Sequence, residues 1–217
     1  MLVLLRAAVL ADAHDRCLAD RNWPHLAVPV PPRDVWGWIE TNHLCNALLW
    51  HEEDEARRTD VPDAAVAANK RRIDRYNQER NDAVEAIDLA ILGMIGVRPD
   101  ADARLSSETA GAMIDRLSIL ALKIHHMRLQ AGRNDAGPAH VAACAEKLER
   151  LTAQREDLAA CLDRLLEEAR EGRAYFKLWR QYRTHNGSAL YPSLYGGGAS
   201  GVGAGTGVHG FRKHESK

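Results

Sequence analysis

Residues 70–88 read KRRIDRYNQERNDAVEAID, and they decide the fold because polar groups stand where a helix should present its core. At helical spacing Val66, Ile73, Val84, Ile87, Ile91 and Met94 form one apolar seam. Asn77 and Arg80 fall inside that seam, at i+4 and i+7 from Ile73. A second line, Asp74, Asn81, Glu85 and Asp88, runs beside it. An arginine facing a bundle interior needs a carboxylate or an anionic ligand, since a stranded buried charge is strongly destabilising. The stretch predicts a long helix with a polar cluster between it and its neighbours.

The flanking segments read as further helices. Leu2 to about Asp20 is amphipathic and stops before NWPHLAVPVPP, where Pro24, Pro29, Pro31 and Pro32 impose an extended connection. A second helix runs from Asp34 to about Arg58, stopped by TDVPD. Asp60 is the expected cap of the third, with Pro62 in its first turn and Asp63 at N3, and this helix ends near Gly96. A fourth spans Ala110 to Ala131, and QAGRNDAGP breaks it from a fifth, Ala139 to Glu171. The fifth carries a heptad seam. Val141, Leu148, Leu162 and Ala169 take one core position, and Cys144, Leu151, Leu158 and Leu165 the other. Arg155 fills the gap in the first series, from which its guanidinium is expected to snorkel outward. AYFKLWRQYR reads as a last short helix docked through its aromatics, and no stretch alternates with period two. The expected architecture is all-α: an antiparallel bundle of four to five long helices with a short C-terminal helix. Residues 1–190 form one domain, and the Gly-rich residues 191–217 a disordered tail.

Composition bounds the function. Lys+Arg 29 against Asp+Glu 30 in 217 residues leaves a net charge of −1, which argues against nucleic acid and anionic membranes as partners. Arg173, Lys177, Arg180 and Arg183 make a basic stripe, but on one short helix of a neutral protein. Cys17, Cys45, Cys144 and Cys161 lie singly, which predicts buried free thiols and a cytoplasmic location rather than a zinc knuckle or a disulfide framework. Arg6 sits within the first apolar run rather than before it, so that run reads as a helix and not a signal peptide. No run of 18 apolar residues exists to span a membrane. The tail GGGASGVGAGTG lacks the GK[ST] ending of a phosphate loop.

The chemistry-bearing residues gather on three helices. His43, Asn46, Trp50, Glu53 or Asp54, and Arg57 share a face of the second, where His51 and Asp54 are i, i+3 neighbours. Glu52, Glu55 and Arg58 read as its solvated side. Asp115, Ser118, Leu122 and His126 lie along one line of the fourth. Adjacent His125 and His126 point about 100° apart, which disfavours a shared metal. The first functional reading is an inter-helix pocket for an anionic small molecule. In it Arg57, Arg80 and Arg116, with Asn77, grip a phosphate or carboxylate. Asp54, Asp74 and Asp115 orient the arginines or serve as acid, base or Mg²⁺ ligand, and His51 titrates near neutrality. The second reading is a non-enzymatic interaction module whose polar cluster fixes helix register. A third is a Mg²⁺-dependent all-α nucleotide pyrophosphohydrolase, from Glu52-x-x-Glu55 and Glu85-x-x-Asp88, with Glu53, Glu85 and Asp88 as candidate ligands. A di-iron bundle fails on ligand count, since only Glu40-x-x-His43 fits. Whether the protein is an enzyme, which cofactor it takes and whether it forms a homo-oligomer stay open.

Three motifs carry a resemblance. Trp50-His51-x-Glu53-Asp54 with Arg57, KRRID-x-x-NQ-x-R-x-D-x-VE-x-ID, and IDRLSILALKI-x-HM resemble the bacterial domain-of-unknown-function family 4254. Gln154-Arg155-x-Asp157-Leu158 is similar to it as well, and the likeness runs from about residue 1 to 190. It implies a small, helical, cytoplasmic bacterial protein with no established activity. The family pattern falls on Glu53, Asp54, Arg57, Asp74, Asn77, Arg80, Asp82, Glu85, Asp88, Asp115 and Arg116. It asks for no acid at Glu52 or Glu55, which weakens the hydrolase reading.

Overall fold

Two helical hairpins carry most of the packing in the computed structural model, which describes residues 5–24 and 32–178. Helix α1 spans Ala7–Ala19, α2 Val35–Ala56, α3 Asp63–Ile95, α4 Ala110–Ala131 and α5 Pro138–Arg170. Helix α2 packs along α3 and α4 along α5, while α1 lies on α4 and α5, and α4 also meets α2 and α3. The all-α expectation holds, and no helix among the described residues is long and apolar enough to cross a membrane.

Local chemistry sets the ends. Asp34 caps α2 by accepting from the Gly37 N–H at 3.0 Å. Helix α3 departs from expectation: Pro62, in extended conformation, holds its N-cap position without a side-chain bond. Asp60 instead pairs with Arg58, whose Nη2 lies 3.0 Å from it. Gly96, at φ 61, closes α3, as a left-handed residue commonly does.

One expectation fails after α5. Ala174–Tyr175 (β2) pairs in parallel with Arg104–Leu105 (β1), so a two-residue ladder exists where no strand was foreseen. The physical reason is backbone satisfaction. The loop after α3 donates its N–H groups from Arg104 to the Arg173 carbonyl at 2.9 Å and from Ser106 to Tyr175 at 2.8 Å. That pairing holds the chain extended and buries Phe176, so the expected terminal helix does not begin at Ala174. The rest of that helix and the Gly-rich tail lie outside the described residues.

The interior is apolar at one end and polar in the middle. Val35 and Ile39 of α2, Ile87 and Ile91 of α3, Ile114 and Leu117 of α4, and Leu162 and Leu165 of α5 share one buried cluster. Each such side chain contributes roughly 1.5–3 kcal/mol by leaving water. Farther along α2 polar Asn42, His43, Asn46 and Glu52 are buried among Cys45, Ala47 and Leu49. Glu52 is a correction to the solvated face: it is buried, and Arg72 of α3 donates to it at 2.7 Å. Arg155 is another, because it does not snorkel free but bonds both oxygens of Asp15 in α1, at 2.8 and 2.9 Å. The free thiols of Cys45 and Cys144 are buried as expected, but that of Cys161 is exposed.

Helix α4 enters the bundle through a close approach. The Gly111 N–H donates to the buried Asp88 carboxylate at 2.6 Å, while Thr109 accepts from the Ala112 N–H at 3.1 Å. A Cβ on Gly111 would stand 2.6 Å from the Val84 carbonyl oxygen and 2.9 Å from Asp88. Gly111→Ala should therefore lose about 1–3 kcal/mol, as overpacking does. Gly93→Ala, where a Cβ meets nothing, should gain up to about 1 kcal/mol from helix propensity. Urea unfolding of the two variants checks both signs.

Candidate functional site

The polar middle is built around Asp115 of α4. Its Oδ1 accepts from the side-chain amides of Asn42 at 2.8 Å and Asn46 at 2.9 Å, which sit one turn apart on α2. Asn46 also donates to Ser118 Oγ at 3.0 Å. Ser118 lies 2.8 Å from His43 Nδ1, and His43 Nε2 lies 3.3 Å from the His14 carbonyl. A carbonyl only accepts, so His43 carries its proton on Nε2 and its Nδ1 accepts from Ser118. The bonds thus run in one direction, from Asn46 to both Asp115 and Ser118, and from Ser118 through His43 to α1. The imidazoles of His14 and His43 lie 4.3 Å apart, and Trp23 stacks on His43 at 4.8 Å. Both His14 ring nitrogens are buried without a partner.

Arg80 of α3 stands at the edge of this network. Its Nε lies 4.0 Å from Asp115 Oδ1, beyond hydrogen-bond reach, and is buried without a bond. Its Nη2 makes one long bond, 3.4 Å, to Asn81. The side chain keeps 27 % exposure. It lines a cleft of about 280 Å³ with Asn46, Asn77, Trp50 and the apolar Leu49, Ile119 and Leu122. Glu53, Asp54 and Arg57 form the rest of its wall. Arg57 bonds Asp54 at 2.8 Å and approaches Glu53 at 3.8 Å, so one guanidinium serves two acids and the wall stays net negative. The arrangement offers a guanidinium and the Asn77 amide above an apolar floor.

Trp50 separates this cleft from a second, of about 200 Å³, lined by Trp23, Pro24, His51, Asp54, His125 and His126 among others. Trp50, Asp54 and Leu122 line both.

Of the residues singled out from sequence, Asp54, Arg57, Asn77 and Arg80 meet at the larger cleft, and His51 faces the smaller. Asp115 lies behind Arg80, 15 % exposed. Asp74 is elsewhere, exposed and bonded to Lys70 at 2.6 Å, because it lies on the outer side of α3. Arg116 also points away, gripping both oxygens of Glu108 at 2.5 and 2.6 Å. Glu53, Glu85 and Asp88 do not assemble. Helix α2 runs antiparallel to α3, with Glu52 at Arg72 and Cys45 at Glu79, so Glu53 and Glu85 lie about 20 Å apart along the axis. Asp88 is committed to Gly111. Among the described residues no group of three His, Cys, Asp or Glu side chains is placed to hold a metal ion. The sequence reading missed Asn42 and His14. Asn42 was legible as the i−4 neighbour of Asn46, while His14 gave no signal on a plainly amphipathic helix.

Comparison with known proteins returns one family. The model described as "Protein of unknown function (DUF4254)" matches residues 36–178, which hold both the Asp115 network and the larger cleft. No curated protein and no solved structure matches the chain.

The histidine pair predicts a pH response. Burial, then the nearby Arg155, lowers His14 from 6.5 to about 4, and burial, then His14, lowers His43 to about 3. Both folded values are depressed, so between pH 6.5 and 4 the unfolded chain binds protons that the folded one refuses. The stability from neutral burial is complete above pH 6.5 and declines as pH falls through that window. The loss from pH 7 to 5.5 should be about 2 kcal/mol for the pair, measured by urea unfolding. His14→Phe should remove about half of that slope.

Proposed function

We propose that this chain, which belongs to the family of proteins of unknown function DUF4254, binds a small molecule through a single anionic group, carboxylate or phosphate, held by Arg80 in the larger cleft. One observation carries the reading. Arg80 is a half-buried guanidinium whose nearest carboxylate, Asp115, is 4.0 Å away and already holds two amide donors. Its Nη groups can bind an oxyanion in the two-pronged geometry that arginine favours. Asn77 supplies an amide beside it, and Leu49, Ile119, Leu122 and the Trp50 ring would take an apolar body. Glu53 and Asp54 on the wall oppose a heavily charged guest. A mono-acid with an apolar or aromatic body therefore fits better than a nucleoside triphosphate.

The alternative of a non-enzymatic module has support of its own. Asp115, Asn42, Asn46, Ser118 and His43 satisfy one another, as a register-fixing network would. The division falls at Arg80, where satisfaction stops.

Arg80→Met separates the readings. Because Asp115 keeps its two amide donors, the variant should stay within about 1 kcal/mol of the wild type. The rise in melting temperature that benzoate or phenyl phosphate gives the wild type should vanish in it. A loss of roughly 3–5 kcal/mol would make Arg80 a structural partner of Asp115 instead. No shift with any mono-acid in the wild type would defeat the anion site.

A further inference from the structure

The smaller cleft differs in chemistry from its neighbour. Its walls combine two indoles, Trp23 and Trp50, with His51, His125, His126 and the Asp54 carboxylate, and none of its lining residues is lysine or arginine. Each indole already gives one face to an imidazole. Trp50 lies on His126 with ring centroids 4.5 Å apart and planes 2° from parallel, and Trp23 lies on His43 at 4.8 Å. At about 200 Å³ the space is below the roughly 300 Å³ at which drug-sized ligands begin, so the guest is small.

We propose that this cleft binds an organic cation, a primary or quaternary ammonium group, between the two indoles and facing Asp54. The face of an indole is the strongest cation–π acceptor among side chains, and the attraction grows when the cation leaves water. Asp54 supplies a carboxylate that an apolar guest would not need, with one oxygen shared with Arg57 at 2.8 Å. Two of the lining imidazoles are disposed against carrying a positive charge: burial, then Arg128, holds His125 below the ordinary histidine value, and burial, then His125, does the same to His126. The flanking cations lie outside the walls. Arg57 bonds Asp54 at 2.8 Å and belongs to the lining of the larger cleft, and Arg128 is not among the lining residues. This site does not depend on Arg80, which lines only the larger cleft.

The test uses the full chain and two probes of one shape: choline and its uncharged isostere 3,3-dimethyl-1-butanol, titrated by ligand-observed NMR. Choline should bind saturably and at least about tenfold more tightly than the alcohol, the size of a desolvated cation–π and ion-pair contact. Asp54→Asn, an exposed position whose change should leave the melting temperature in place, should weaken choline at least fivefold, by the same reasoning, and leave the alcohol unaffected. Arg80→Met should not alter choline binding, so failure of the anion site and failure of this one read differently. Equal affinity for the two probes would make the cleft a plain apolar or stacking site and overturn the proposal. Saturable binding of neither, or choline binding that Asp54→Asn leaves intact, overturns it as well.

Discussion

The Asp115 carboxylate, 15 % exposed between α2, α3 and α4, has to be bonded within the protein or it would destabilise the bundle. Helix α2 meets that demand with two asparagines one turn apart, both donating to the same oxygen. This geometry works at one register of α2 against α4 only, since sliding either helix by a turn would part the amides from the carboxylate. Ser118, one turn on from Asp115, repeats the arrangement and hands the network to His43, which reaches α1. The apolar end of the bundle supplies most of the burial, but many registers bury Ile and Leu comparably well. The polar middle selects among them.

Filling Asp115 with amides has a consequence for α3. Arg80 arrives in the same region by its place in the seam and finds the carboxylate engaged. It stops 4.0 Å short and turns its guanidinium along the wall of the larger cleft. The closed network and the open cleft are therefore two sides of one arrangement, and Asn46 belongs to both. Trp50 partitions the space beyond. On one side lies an arginine with the Asn77 amide and an apolar floor, and on the other a pair of indoles with a carboxylate.

The helices were legible because their apolar periodicity and breakers are strong. Helix α4 matches at both ends, and α5 is displaced by one residue. The polar seam of α3 was legible too, since Asn77 and Arg80 interrupt a regular series. Which acids join it was not. Asp74 and Asp115 look alike in sequence, yet Lys70 takes the first on the surface and Asn42 and Asn46 take the second inside. Periodicity gives the face a residue occupies on its own helix, and the facing helix decides what it meets. The same limit explains Glu52, which sits among charged neighbours but meets Arg72 across the α2–α3 contact. The β1–β2 ladder was hidden for another reason. A two-residue strand has no periodicity to read, and its partners lie 70 residues apart in the chain.

The most direct measurement compares the two acids. Urea unfolding of Asp115→Ala and Asp74→Ala should place the first about 2–4 kcal/mol below the wild type, because it leaves the Asn42 and Asn46 amide donors without their acceptor. The second should stay within about 0.5 kcal/mol, having lost only an exposed i, i+4 pair. Equal effects at the two positions, or an Asp115 variant as stable as the wild type, would contradict a bundle registered on that carboxylate.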